Sequence, residues 1–224
     1  MKLHTGDLSP YSAKVRMQIY AKGITDINFT LDPLFRKMRF REVTPTGRIP
    51  ALDVGSENAP DIIPESEVIC EYLEELYPEP TMLGTTPRER ARVRTINRIG
   101  DIYLMNNIFM SLPQINRKTR VDATRDMLVA QVVRGIGALE AHLSEAQVGG
   151  SEFAVGDTMS LADCTLVPAL WMCQNTVPNL DVPNPIEGTE KVAAYWDGIQ
   201  KNEIAAKVIA EINRGLKARL DGTE

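Results

Sequence analysis

The segment KLHTGDLSPYSAKVRMQIYAKG, residues 2–23, joins a strand pattern to a helix pattern and decides the class of fold. Lys2–Thr5 partly alternates apolar and polar residues, which is typical of a strand. Ala13–Lys22 predicts a helix, and Gly23 is suited to end it because glycine accepts a positive φ angle. A strand followed at once by a helix indicates an α/β arrangement at the start of the chain.

The region up to residue 76 continues this arrangement. Further short segments have strand composition, and a helix with one apolar face follows them. The predicted strands are Ile27–Leu31, Ala51–Val54 and Asp61–Ile63, and the helix is Val68–Leu76. This order predicts a small α/β sandwich in which helices cover a mixed sheet.

Residues 78–86 carry two Pro and one Gly and interrupt the periodicity, so they predict a linker. Most of the sequence after the linker is helical by its apolar period. We therefore predict one domain over residues 1–77 and an all-α domain over residues 87–224. One long helix of that domain is predicted to end before Gly149-Gly150, and the Pro-rich segment Val177–Gly188 is predicted to be a loop.

Two helix starts in the all-α part carry a capping-box pattern, in which a Ser or Thr and an acidic residue three positions later satisfy each other's backbone N–H groups. Thr86 and Glu89 form the first pattern, with Pro87 between them at a favourable position. Ser160 and Asp163 form the second.

Composition excludes several classes of protein. The 224 residues carry 25 Lys+Arg against 30 Asp+Glu, a net charge of −5, which argues against nucleic-acid and anionic-membrane partners. The start of the chain has no apolar signal segment. The 3 Cys form no disulfide framework and the 2 His disfavour a histidine metal site. We therefore expect a cytoplasmic protein without a metal ion.

Ser9-Pro10-Tyr11-Ser12 lies between the first strand and the first helix. The N–H groups at a helix start stabilise an anion, and a hydroxyl there donates a hydrogen bond to it. The competing interpretation is a simple cap and turn, because Ser and Pro are common at helix starts.

Two further segments can likewise be interpreted either as binding residues or as purely structural ones. Ile49-Pro50 precedes a strand, and a cis bond there would turn the Ile49 backbone outward, although most such bonds are trans. At the start of the Val68–Leu76 helix, Ser66 suits a carboxylate and Glu65 suits an amine, as an α-amino acid requires. The alternative is a Ser cap beside acidic residues that favour the helix dipole.

The order of four motifs resembles the cytosolic glutathione transferases. The motifs are S-P-Y-S-x-K-V-R at 9–16, G-R-I-P-A-L at 47–52, P-E-S-E-V-I-C-E-Y-L-E-E-L-Y-P at 64–78 and S-L-A-D at 160–163. The resemblance implies an α+β chain with an N-terminal thioredoxin-like domain and an all-α helical domain. It also implies glutathione as co-substrate, a homodimer and a role in detoxification.

The resemblance implies a role for individual residues. Ser9 matches the residue that contacts the glutathione sulfur, and Ile49 matches the backbone that pairs with the cysteinyl unit. The family's cis-proline corresponds to Pro50, and the pair that holds the γ-glutamyl end corresponds to Glu65 and Ser66. The glycyl carboxylate would lie near Arg48.

Ser9 would act as a donor that stabilises the thiolate. Tyr11 and Ser12 stay open as alternative donors, because several classes in the family use a Tyr near this point. The S-S-C-S start of the zeta class is absent, so isomerisation of maleylacetoacetate is not implied. A small hydrophobic electrophile is expected between the domains, near Leu8, Tyr11, Tyr103 and Asn107.

We expect a glutathione transferase that adds an alkyl or aryl group to the sulfur. A glutathione-dependent ether lyase, dehalogenase or peroxidase on the same site is the alternative among enzymes. An interaction module that has lost catalysis is the alternative from another class, since this scaffold hosts many functions.

Overall fold

A computed structural model describes residues 1–36, 39–56, 58–146 and 152–222. They form two compact units. The first contains Met1–Thr81 together with the residues from Ala206 onward, and the second contains Met82–Ala205. By packing, the end of the chain therefore groups with the first unit, whereas the predicted domain boundaries at residues 77 and 87 stay a prediction. No described helix is long and apolar enough to cross a membrane.

The first unit contains a four-stranded sheet, and each predicted strand is present. The sheet order is β2-β1-β3-β4. Strands β1 and β2 are parallel, whereas β3 is antiparallel to both β1 and β4. Leu3 pairs with Phe29 on one side and Leu52 on the other, and Leu3 and Leu52 are fully buried. The bounds are β1 Lys2–His4, β2 Asn28–Thr30, β3 Ala51–Asp53 and β4 Ile62–Pro64.

Helix α1 makes the crossover that the parallel pair β1–β2 requires. Its apolar period is weak because polar residues occupy several of its buried positions, among them Lys14, Arg16 and Gln18. Ion pairs and hydrogen bonds compensate for the cost of burying them. The helices of this unit are α1 Pro10–Ala21, α2 Pro33–Arg36, α3 Ser66–Leu76 and most of α9 Glu203–Leu220, with a 3₁₀ turn at Phe40–Glu42.

In the described part of the second unit, the regular structure is helical. Helix α7 is buried from Leu161 to Cys173, so it is the centre of this unit's core. The chain also forms a π-helix at Ile99–Met105 and 3₁₀ turns at Leu112–Ile115 and Val177–Leu180. The helices are α4 Pro87–Arg98, α5 Asn106–Ser111, α6 Asp122–Ala146, α7 Leu161–Thr176 and α8 Lys191–Ile199.

Both predicted capping boxes are present. The prediction of a loop over Val177–Gly188 was wrong at its start, where Val177–Leu180 forms the 3₁₀ turn. Proline is tolerated there because it lies in the first turn, where its missing N–H costs no internal hydrogen bond. The predicted end of a helix before Gly149-Gly150 lies outside the described residues.

Candidate functional site

Ser9 is the N-cap of α1 and joins it to the loop after β1. The Ser12 N–H donates to Ser9 Oγ across 3.2 Å, and Pro10 occupies the first turn. The cap interpretation is therefore confirmed, but it does not compete with a binding role. A hydroxyl that accepts from a backbone N–H still has its own proton to donate. Within the described residues, no group accepts the Ser9 proton.

The other two candidate donors differ in burial. The Ser12 side chain is fully buried, and its Oγ has no hydrogen-bond partner among the described residues. Tyr11 and Ser9 are both half-buried. A thiol that enters from solvent therefore reaches Ser9 or Tyr11 more readily than Ser12.

The Ile49–Pro50 peptide bond is cis, as predicted. Pro50 is buried and Ile49 is half-buried. Ile49 lies beside the loop that precedes Ser9, since a Cβ added to Gly6 would be 3.1 Å from Ile49 Cδ1. The Ile49 N–H and C=O make no hydrogen bond to any described residue. This backbone is thus open to pair with an extended ligand.

The turn into α3 presents the Glu65–Ser66 pair. Glu65 has a φ of 71°, in the left-handed region that a residue other than glycine rarely adopts. Such a conformation costs about 1–3 kcal/mol and is concentrated at functional sites. The Glu65 side chain is exposed, and no ion pair joins it to the part of the chain described here. Ser66 is only 6% exposed, and its hydroxyl likewise has no described partner.

A partly buried ion pair joins the two helices that carry these groups. Lys14 of α1 is fully buried and pairs with Glu67 of α3, one residue after Ser66. Gln18 adds a hydrogen bond of 2.9 Å from its Nε2 to the Cys70 carbonyl. No sequence pattern pointed to these contacts, because Lys and Gln in a helix usually face solvent.

Arg48 is exposed, and it forms no salt bridge within the described ranges. Its neighbour Gly47 has a φ of 64°, and an added Cβ would be 2.6 Å from Arg41 Cγ. The positive φ favours glycine at this position, where the Gly47 N–H closes a turn by donating to the Thr44 carbonyl at 2.9 Å.

The predicted co-substrate residues are divided between the two units. Leu8 and Tyr11 belong to the first, whereas Tyr103 and Asn107 belong to the second. The Asn107 amide donates to the carbonyls of Ile102 (2.7 Å) and Tyr103 (3.0 Å) in the π-helix. Asn107 thus has a structural role, and a shared co-substrate site stays a prediction. No cluster of three or more His, Cys, Asp or Glu that could hold a metal occurs in the residues described.

Comparison with known proteins matches both parts of the chain to domains of one family. Residues 3–81 match the glutathione S-transferase N-terminal domain, and residues 105–203 match its C-terminal domain.

Individual relatives are similar over most of the chain. The maleylacetoacetate isomerase of Pseudomonas aeruginosa is 30% identical over 203 residues, which cover 87% of this chain and 91% of that protein. The stringent starvation protein A homolog of Coxiella burnetii is 25% identical over 225 residues, covering 99% and 97%.

The structure of maleylacetoacetate isomerase from Anaeromyxobacter dehalogenans, solved with GSH bound in its active site, has the same fold. Its TM-score is 0.73 at 22% identity, covering 92% of this chain and 93% of that one. The predicted thioredoxin-like domain followed by a helical domain is therefore confirmed. With both domain matches and 30% identity over most of its length, the chain belongs to the glutathione transferase family.

Proposed function

We propose that this glutathione transferase family enzyme binds glutathione on its first unit and ionises the thiol for attack on a hydrophobic electrophile. The observation that carries the proposal is Ser9, whose hydroxyl caps α1 while its own proton has no described acceptor. The proton can therefore be donated to a thiolate, and the positive end of the α1 dipole adds favourable potential there.

Four further residues suit the three units of the glutathione tripeptide. The Glu65 carboxylate suits the γ-glutamyl amine, and the Ser66 hydroxyl suits the carboxylate beside it. The open backbone at Ile49, before cis Pro50, suits the cysteinyl unit. Arg48 suits the glycyl carboxylate, because it is exposed and has no described anionic partner.

Little free energy is needed to lower the pKa of the glutathione thiol to near neutrality. A free thiol of this kind has a pKa of about 8.5, so only a few per cent is ionised at neutral pH. One charge-assisted hydrogen bond supplies about 1.5–3 kcal/mol, and each unit of pKa needs about 1.36 kcal/mol. Ser9 alone thus lowers the pKa of the thiol by about one to two units, which brings it close to neutral pH.

We place the electrophile near Leu8, Tyr11, Tyr103 and Asn107, and we propose a homodimer. A cytoplasmic location agrees with the 3 Cys, none of which forms a disulfide bond in the structure.

Isomerisation is a second candidate, and the 30% identity to a maleylacetoacetate isomerase favours it. In that reaction the thiolate adds to one carbon of a cis double bond, and the π electrons move onto the conjugated carbonyl. After rotation about the new single bond, the electrons on the carbonyl oxygen return and re-form the double bond in the trans geometry. The C–S bond breaks in the same step and the thiolate leaves, so glutathione is not consumed. Conjugation consumes it, and following the free thiol during turnover of each substrate class distinguishes the two. The absent S-S-C-S start weighs against isomerisation.

Ultraviolet titration of bound glutathione thiolate tests the role of Ser9. We expect a depressed thiol pKa in the wild type, a return toward the free value in Ser9→Ala, and retention of the depression in Ser9→Thr, which keeps both the hydroxyl and the cap. A depressed pKa in Ser9→Ala would instead assign the donor role to Tyr11. If no glutathione binds, the enzyme proposal fails and the interaction module is favoured.

A further inference from the structure

The loop that delivers Ser9 to α1 is held by a buried arginine from the middle of that helix. Arg16 is 1% exposed. Its Nη1 donates to Thr5 Oγ1 at 2.8 Å and to the Gly6 carbonyl at 3.0 Å, and its Nη2 donates to the Asp7 carbonyl at 3.2 Å. One guanidinium thus holds three consecutive residues of the loop.

One of these acceptors also determines the position of Ser9. The Gly6 carbonyl accepts the Ser9 N–H at 3.1 Å in addition to Arg16 Nη1. A shift of the guanidinium therefore moves the oxygen on which the Ser9 backbone rests. The Gly6 carbonyl alone links the Arg16 guanidinium to the Ser9 backbone in this chain of hydrogen bonds.

Glu211 of α9 orients the guanidinium from the opposite side. Its Oε2 accepts Arg16 Nε at 2.7 Å, and its Oε1 accepts the Tyr20 hydroxyl at 2.7 Å. Glu211 is 8% exposed, so both charges of the pair are withdrawn from water. The guanidinium is planar and is bound by the loop through its Nη atoms and by Glu211 through its Nε, so its orientation is fixed. A lysine could not make the same set of hydrogen bonds.

Two more residues of α9 reach the same loop. Arg214 Nε donates to Asp7 Oδ2 at 2.8 Å. At Gly215, an added Cβ would be 2.4 Å from the Leu8 backbone nitrogen and 2.9 Å from the Asp7 carbonyl carbon. Only glycine fits this approach, so the backbone of α9 lies directly against the residue before Ser9.

We propose that Arg16, Glu211 and Gly215 are positioning residues that hold the Thr5–Leu8 loop so that the Ser9 hydroxyl meets the glutathione sulfur. The proposal rests on the proposed function, and it makes the C-terminal helix part of the thiol-activating machinery. A hydrogen bond weakens steeply when its geometry is disturbed, so a displacement of several tenths of an ångström at Leu8 is sufficient to matter. The γ-glutamyl contacts at Glu65 and Ser66 lie on a different element and are unaffected.

Gly215→Ala is the sharpest test, with Gly198→Ala as its matched control. Both replace a glycine within a helix, where alanine is otherwise favoured. An added Cβ at Gly198 has no neighbour within 4 Å. We expect Gly215→Ala to raise the pKa of the bound thiol by about one unit, which lowers the thiolate fraction about tenfold below that pKa. Its kcat should fall with little change in the KM for glutathione, whereas Gly198→Ala should match the wild type.

Two further variants test the side chains. Arg16→Lys keeps the positive charge but removes the planar guanidinium with its fixed N–H donors. Glu211→Gln keeps the shape of the side chain but removes its negative charge. Both should raise the thiol pKa in the same direction as Gly215→Ala, and Glu211→Gln serves if Arg16→Lys does not fold.

The outcomes separate this proposal from the one on which it rests. A wild type with no depressed thiol pKa overturns the proposed function and the positioning role together. A depressed pKa in the wild type that persists in folded Gly215→Ala and Glu211→Gln overturns the positioning role alone.

Discussion

At the scale of the residue, the Asp163 carboxylate accepts hydrogen bonds from three residues of the second unit. Its carboxylate is fully buried and accepts from the Ala154 N–H at 2.8 Å and the Tyr195 hydroxyl at 2.9 Å. The N–H and Oγ of Ser160 donate to it at 2.8 and 2.9 Å. The capping box is thus extended by two donors from outside its own helix turn.

Asp163→Ala should lower the free energy of unfolding by about 3 kcal/mol or more, because it leaves several buried donors without an acceptor. Thr86→Ala, in the exposed capping box, is the control and should cost about 1 kcal/mol. Urea denaturation of both variants measures the difference. Equal midpoints would show that the two outside donors contribute nothing to stability.

At the scale of the element, the start of α8 depends on a distant helix. The N-cap residue Glu190 makes no side-chain capping bond. The Glu140 carboxylate of α6 accepts instead from the N–H groups of Glu190, Lys191 and Val192, at 3.1, 2.8 and 2.9 Å. Burial alone would raise the pKa of Glu140, but these backbone donors lower it below its ordinary value of 4.5.

A lowered pKa in the folded state gives stability that is present above the ordinary value and is lost as the pH falls through the folded value. The wild type should therefore exceed Glu140→Gln in stability at pH 7, and the difference should shrink below the ordinary Glu value of 4.5. Urea midpoints across this range measure it, and Glu187→Gln at an exposed position is the control. A difference between wild type and Glu140→Gln that does not depend on pH would contradict the assignment.

At the scale of the whole molecule, the first unit takes its last helix from the end of the chain. The Arg16–Glu211 hydrogen bond joins residues 195 positions apart. The contacts that hold the loop before Ser9 therefore form only when α9 packs against α1.

Glutathione should stabilise the folded chain as a whole, since it binds only a folded site. At about 100 times its Kd the gain is about 2.7 kcal/mol, visible as a higher unfolding temperature. Glu65→Gln should reduce the gain at the same concentration, and Arg88→Gln, exposed on the second unit, should not. An unchanged unfolding temperature in the wild type would support the interaction module.

The cis bond at Pro50 was expected from the family resemblance that the order of the motifs carries, since most X-Pro bonds are trans. Local sequence signals were sufficient for the strands and the two capping boxes. Each of these depends on residues within a few positions of one another, where propensity and hydrogen-bonding reach are decided locally. The burial of Arg16, the role of Glu211, the glycine requirement at 215 and the left-handed conformation of Glu65 were settled only by the folded chain. The partners of Arg16, Glu211 and Gly215 are far away in sequence, and no periodicity encodes a contact that closes over 195 residues.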